Sequence, residues 1–511
     1  MKHRRLVTVS VVALALALSA GSVRTAAAAN SKPLRNAVTL AGVRVHQAAL
    51  QAIADANNGH RASGTPGFAA SVAYVKATLE KAGYKVVVQP FDFPYFQEFS
   101  PAKLEQTAPG AVSYVNGTDF ATLRYSATTT PAGVTGVVQQ VNDNVFPPTP
   151  LPSSTAGCEA TDFDGFVPGN IALIQRGTCT FAEKVANAAA AGAKAAIIFN
   201  EGNPGRTGLL SGTLYAPSAI PALVADFALG STLAATSGLQ LRVTTDTQSD
   251  IRSTANVIAD TRSGRIDRIV VVGAHLDSVP GGPGINDNGS GTAGNLEIAL
   301  KLAKLKIKPR NKVRFAFWGA EEFGLQGSRH YVSQLSAMQI KRISVNLNFD
   351  MLGSPNFGRF VYDGDGSDTG TPGPNGSAAV ERVFSTYFAK QFLAVKPSAF
   401  DGRSDYGPFI EAGIPAGGLH TGAEVIKTPE DVALFGGTAG IAFDPCYHKA
   451  CDTYANNSDV ALDQMVDAAA DAVMQFAMTT AAVNGTPKAK GRAVGQVDAR
   501  SLAYRGGDLQ R

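Results

Sequence analysis

Three short apolar runs in this sequence each end on side chains able to bind a metal or move a proton. Ile269-Val-Val-Val-Gly-Ala274 leads into His275-Leu-Asp277. Val313-Arg-Phe-Ala-Phe-Trp-Gly319 leads into Ala320-Glu321-Glu322, and Ser344-Val-Asn-Leu-Asn-Phe349 into Asp350. Asp287 sits in the glycine-rich stretch Gly281 to Gly291, and His448 follows Cys446-Tyr447 far downstream. Zinc accepts imidazole nitrogen and carboxylate oxygen, and two zinc ions close together can share a bridging carboxylate. A pair of such ions wants five protein ligands besides a bridging water, and His275, Asp287, Glu322, Asp350 and His448 supply that number. Taken singly, each residue has a plainer reading: a strand-end aspartate as a helix cap, adjacent glutamates as a solvated pair. Two solvated charges have no purpose, however, directly after Phe315-Ala-Phe-Trp318.

The elements that must position these groups alternate between strand-like and helix-like. That order predicts an α/β fold with a largely parallel core, whose ligands lie beyond the carboxyl ends of the strands. Apolar spacing predicts helices over 37–57, 68–82, 294–305 and 460–478, and a strand over 84–91. His46 and His60 read as surface or helix-cap residues. From Pro131 a β-rich block intervenes: Gly133 to Val141, Gly169 to Gly177, Cys179 to Lys184, an alanine-rich helix to Gly192, Ala195 to Asn200 and Ile220 to Val224. It holds no histidine, so it is expected to bind or gate and not to catalyse.

At 511 residues the chain exceeds what one core usually supports. The division expected is a signal peptide (1–29), the first part of a catalytic domain (30–130), an insert (131–248), the main catalytic part (249–483) and a loose tail (484–511). Lys2-His-Arg4-Arg5 followed by the apolar stretch Leu6 to Ala20 and small residues at Ala26 to Ala29 has the build of an export signal. The apolar stretch is shorter than the ~20 residues a membrane span needs. A secreted, extracellular protein is expected, with no membrane attachment once the signal is removed. The net charge of +4 comes without a basic block, which argues against nucleic acid or anionic membrane as partner. The four cysteines suit disulfides, Cys158 with Cys179 and Cys446 with Cys451; the alternative, a zinc–thiolate site, has no C-x-x-C spacing behind it.

His275-x-Asp277-Ser, Gly284-Ile-Asn-Asp287-Asn-Gly-Ser-Gly291, Trp318-Gly-Ala-Glu321-Glu322-x-Gly324, Asn348-Phe-Asp350-Met and Cys446-Tyr447-His448 together resemble the secreted bacterial leucyl aminopeptidases, of the aminopeptidase Y type. The β-rich block resembles the protease-associated (PA) domain through Ala172-Leu-Ile-Gln-Arg-Gly-Thr-Cys179 and Ala191-Gly-Ala-Lys-Ala-Ala-Ile-Ile-Phe-Asn200. The resemblance implies a zinc-exopeptidase α/β/α sandwich with a mixed, centrally parallel sheet. It also implies two zinc ions per chain, a monomer, and peptide and protein N-termini as substrates, those with large apolar residues above all. It carries over these roles: Asp287 bridges the metals, His275 and Asp350 complete one site and Glu322 and His448 the other. Glu321 becomes the general base, Asp277 the partner that orients His275, and Tyr447 the donor to the oxyanion, with packing beside the Cys446–Cys451 loop as the plainer reading of Tyr447. Arg403, in Asp401-Gly-Arg403-Ser404-Asp405, would position the substrate's N-terminal end through its backbone. His420 departs from the family, which often places an apolar residue in the specificity pocket; it is equally a structural histidine or a substrate contact. Calcium has no signature in the sequence. The alternatives are a carboxypeptidase or other aminoacyl hydrolase on the same scaffold, and a peptide-binding relative without catalysis.

Overall fold

The computed structural model describes residues 29–148 and 154–484. The expected signal peptide and tail thus lie outside the described residues, apart from Ala29 and Asn484.

The three apolar runs are neighbouring parallel strands. Arg265–His275 lies between Asn311–Trp318 and Ile343–Phe349, with Val313 opposite Val270, Trp318 opposite His275 and Asn346 opposite Val271. Their side chains are buried on both faces, which is why they read as continuous hydrophobic runs instead of alternating ones. Ala416–His420 extends the sheet in parallel beyond Ile343–Phe349, and Phe360–Tyr362 joins it antiparallel. One face is covered by the helices Gly289–Lys304, Asp459–Met478, Leu40–Asp55 and Pro66–Lys81 around Leu50, Leu79, Leu296 and Val466. The other packs Trp318, Tyr331 and Phe409 from two short helices, Gln326–Ser333 and Gly407–Glu411, and the sheet. The result is the expected three-layer α/β/α arrangement with a mixed sheet and parallel centre.

Local boundaries follow their caps. The helix expected over 37–57 is two helices, Lys32–Ala37 and Leu40–Asp55, because the Thr39 side chain accepts the Gly42 N–H at 3.1 Å and starts a new one. The helix after Asp287 begins at Gly289, ahead of Gly294, with Asn288 accepting the Gly291 N–H at 2.9 Å.

A two-stranded ribbon leaves this sheet. Lys85–Ala108 and Gln240–Asp260 pair antiparallel from Lys85 opposite Asp260 to Ala108 opposite Gln240. At one end the ribbon pairs with Arg314 to Phe317, and at the other with Val134 to Val137. The strand expected over 84–91 continues this far because Phe91, Phe93 and Tyr95 alternate onto one face and pack on Ala320 and Phe323, which flank Glu321 and Glu322. The ribbon carries a second sheet, in which Val134–Gln140, Ile171–Gln175, Ala195–Phe199 and Ala222–Ala225 run parallel, with Phe120–Thr122 antiparallel at the edge. Cys179 to Lys184, expected to continue the β-rich run, instead starts the helix Phe181–Ala190. Thr180 and Glu183 form a reciprocal capping box there, a T-x-x-E signal visible in the sequence. Both disulfides form, with Cα–Cα distances of 5.7 Å (Cys158–Cys179) and 5.2 Å (Cys446–Cys451).

Candidate metal centre and the clefts beside it

The carboxyl ends of the three parallel strands deliver His275, the Glu321–Glu322 pair and Asp350 to one place. Tight turns aim them: Ala320, Met351 and His448 all adopt positive φ, at 52°, 55° and 59°. Side chains with a Cβ rarely enter that region, so three of these turns carry backbone strain beside the five candidate ligands.

His275 Nε2 lies 3.1 Å from Asp287 Oδ1 and 3.3 Å from Asp350 Oδ1. His448 Nε2 lies 3.2 Å from Asp287 Oδ2 and 3.0 Å from Glu322 Oε2. Asp287 thus turns one oxygen to each imidazole. His275, Glu321 and Asp350 form one close donor group, and His275, Asp287 and Glu322 another. Asp350 Oδ1 and Glu322 Oε1 are buried with no hydrogen-bond partner in the protein. Two imidazoles and three carboxylates, two of them with an orphaned buried oxygen, fit a pair of zinc ions. Among the described residues, Asp363, Asp365 and Glu381 form a third acidic group, but Asp363 is already satisfied by the N–H groups of Gly366 (2.9 Å) and Thr369 (2.7 Å).

Burial raises the carboxyls of both glutamates. Burial, together with Glu322, Asp405 and Asp350, pushes the Glu321 carboxyl well above the usual range. Burial would lower the His448 imidazole, but Glu322 and Asp287 hold it at about 10. The Glu321 N–H donates to Asp277 Oδ1 at 3.2 Å. His275 Nδ1 lies 3.2 Å from the Asp277 main-chain carbonyl and 3.6 Å from its carboxylate, so the carbonyl is the closer acceptor. Tyr447 stacks on His448 with ring centroids 3.8 Å apart, and its hydroxyl lies 3.5 Å from Arg403 Nη2. Arg403 is paired with Glu424 at 2.8 Å. His420 stacks on Phe360 (4.8 Å) and meets Ser398 Oγ at 2.9 Å; burial lowers its pKa to about 4, which keeps it neutral. His60 stays away from the centre, and so does His46. His46 is buried, not exposed, and its Nδ1 lies 2.6 Å from the Tyr74 hydroxyl.

Three supporting residues escaped the sequence reading. Arg61, fully buried, donates to the carbonyls of Leu276, Pro283 (2.9 Å) and Gly284 (2.6 Å), and so braces the segment from His275 to Asp287. Ser404 donates to Asp350 Oδ2 at 2.5 Å while accepting from Asn348 at 2.7 Å. Asp452 accepts the N–H groups of Asn286 and Asp287. Asp452 could have been suspected, since it adjoins the Cys446–Cys451 motif; Arg61 had no local signal.

Two clefts meet at Glu321, Glu322, Arg403 and Tyr447. The first, of about 420 Å³, combines Phe360, Tyr362 and Phe443 with Asp350, Asp401 and Glu424. The second, of about 440 Å³, runs between the catalytic loops and the inserted sheet.

The sequence profile of Peptidase family M28 matches residues 256–473, and that of the PA domain residues 137–233. An aminopeptidase of Pseudomonas aeruginosa is 48% identical over 456 residues, covering 89% of this chain and 83% of that one. Leucine aminopeptidase 2 of Trichophyton rubrum is 44% identical over 338 residues, covering 65% of this chain and 67% of that one. Among solved structures, a zinc aminopeptidase from Bacillus subtilis aligns over 85% of this chain and 95% of its own, with a TM-score of 0.56 and 27% identity.

Proposed function

The chain belongs to peptidase family M28, and we propose that it is an exported two-zinc aminopeptidase that removes large apolar residues from peptide N-termini. The observation that carries this reading is the Asp287 carboxylate with one oxygen facing His275 and the other His448, each imidazole also meeting a second carboxylate. Relatives named as aminopeptidases, one of them a leucine aminopeptidase, and a neighbour titled a zinc aminopeptidase support it.

Bound at these five residues, zinc would polarise the scissile carbonyl and acidify a water between the sites. Glu321, the carboxylate of the cluster left outside the five-ligand set, takes the proton of the attacking water and returns it to the departing amine. The Tyr447 hydroxyl donates to the oxyanion as it forms. In the first cleft, Asp401 suits the substrate's α-ammonium, and the aromatic wall, with a neutral His420, suits an apolar side chain. Export rests on the N-terminal basic and apolar segments; among the described residues no helix is long and apolar enough to cross a membrane.

The test is a panel of free and N-acetylated aminoacyl substrates run with metal analysis on the same sample. Hydrolysis of the free amines alone, with leucine, phenylalanine and methionine ahead of lysine and aspartate, is expected. Turnover of the acetylated set would instead indicate a carboxypeptidase or another hydrolase.

A further inference from the structure

The two clefts differ in charge. The first offers a cation Asp401, which no ion pair neutralises among the described residues, whereas the second ends beside the second sheet at Arg124, Tyr125 and Tyr215. Of the other arginines lining the second cleft, Arg329 is neutralised by Glu411 at 3.2 Å and Arg403 by Glu424 at 2.8 Å. Arg124 has no carboxylate partner among the described residues, and its Nε is buried without a hydrogen-bond partner. The residue as a whole is half-buried, lines the cleft and lies over the Tyr125 ring at 5.7 Å, and a partly desolvated guanidinium without a carboxylate partner is stabilised by an anion that binds beside it. Its surroundings are built to stay put. The Arg124 N–H donates to Gly212 (3.1 Å) and its carbonyl accepts from Leu214 (3.1 Å), while Tyr125 and Tyr215 both hold the strained left-handed conformation, with φ of 69° and 61°.

We propose that Arg124 is a specificity-determining residue that binds the C-terminal carboxylate of short peptides whose N-terminal residue occupies the first cleft. The inference rests on the aminopeptidase reading and adds a substrate class to it: di- and tripeptides, zwitterions whose ammonium and carboxylate match the acidic and basic ends of the paired clefts. A volume of about 440 Å³ is of small-ligand size and favours one or two residues beyond the scissile bond over a long chain. A planar fork of donors is the group best matched to a carboxylate.

The probes are leucyl-leucine and leucyl-leucinamide, which share the scissile bond and differ only in the terminal carboxylate, with leucine p-nitroanilide as the assay of the catalytic centre. In the wild-type enzyme we expect kcat/KM for the acid to exceed that for the amide by about tenfold or more, mostly through KM, the scale of one hydrogen-bonded charge pair. Arg124→Gln should bring the ratio to about one. Arg124→Lys, which keeps the charge but loses the fork, should leave it between the two, a graded result that general loosening of the insert would not give. A wild-type ratio near one, or a ratio preserved in Arg124→Gln, overturns the proposal; if Arg124→Gln does not fold, the wild-type ratio and Arg124→Lys decide. Failure of the aminopeptidase reading itself looks different, as no cleavage of leucine p-nitroanilide by the zinc-loaded wild type.

Discussion

Asp452 accepts the main-chain N–H of Asp287 at 3.0 Å. It also accepts that of Asn286 at 2.8 Å, so one carboxylate at the end of the Cys446–Cys451 loop fixes the turn that presents the central acid. The same loop carries His448. Both halves of the centre are therefore tied to one buried anion, whose pKa burial pushes up to about 7. Asp452→Ala removes both acceptors and should weaken zinc binding by about 10–100-fold, the usual scale for groups that orient ligands. Competition with a chromogenic chelator measures this; affinity equal to wild type would show that the turn holds its shape unaided.

Glu321 and Glu322 are neighbours with different tasks in the proposed mechanism. Glu321→Gln keeps the shape and loses the base, so turnover should fall by ~10²–10⁴ with zinc content maintained. Glu322→Gln replaces a donor 3.0 Å from His448 and should lower occupancy first. The comparison needs kcat and metal content on the same samples. Equal behaviour of the two variants would remove the division of labour.

Much of this centre was legible because strands buried on both faces spell themselves as apolar runs, and His275, Glu321 and Asp350 stand at their ends. The glycine-rich turn before Gly289–Lys304 marked Asp287 in the same way. What the sequence hid are groups that act through backbone. Arg61 works by holding three carbonyls of a segment distant in sequence, and nothing in His60-Arg-Ala-Ser-Gly announces that. The long ribbon was also hidden. Thr244 to Ser253 is too polar to read as a strand, and it is extended only because Asp92 to Lys103 pairs with it. The approach of Arg124 to the catalytic loops depends on that ribbon, so the second cleft could not be foreseen either.

Metal removal tests the centre as a whole. Dialysis against a chelator should abolish hydrolysis, and added zinc should restore it at about two ions per chain. Because the ligands converge only in the folded chain, zinc should also raise Tm, contributing about 4 kcal/mol when free zinc is 1,000-fold above Kd. Restoration at one ion per chain would point to a mononuclear relative. Full activity in stripped protein would refute the mechanism.

The insert offers a pH test remote from the proposed metal centre. Lys184 is fully buried, donates to the Ala156 carbonyl and lies 3.8 Å from Cys158 Sγ. Burial lowers its pKa to about 8, with Asp162, Glu201 and Glu183 opposing. In the unfolded chain a lysine titrates near 10.4. Below the folded value both states carry the proton and the cost of burying the charge is constant. Between the two values the folded state binds fewer protons, so this group makes stability rise with pH across about pH 8 to 10.4. Lys184→Met fills similar space with no charge and should abolish that rise, though it leaves the Ala156 carbonyl without its donor. The absolute stabilities can therefore fall either way, but the difference between wild type and variant should move toward wild type by up to about 1.4 kcal/mol per pH unit. Thermal unfolding of both proteins at closely spaced pH values from 7 to about 10 measures it. A difference independent of pH over that window would mean that the lysine keeps an ordinary pKa in the folded insert.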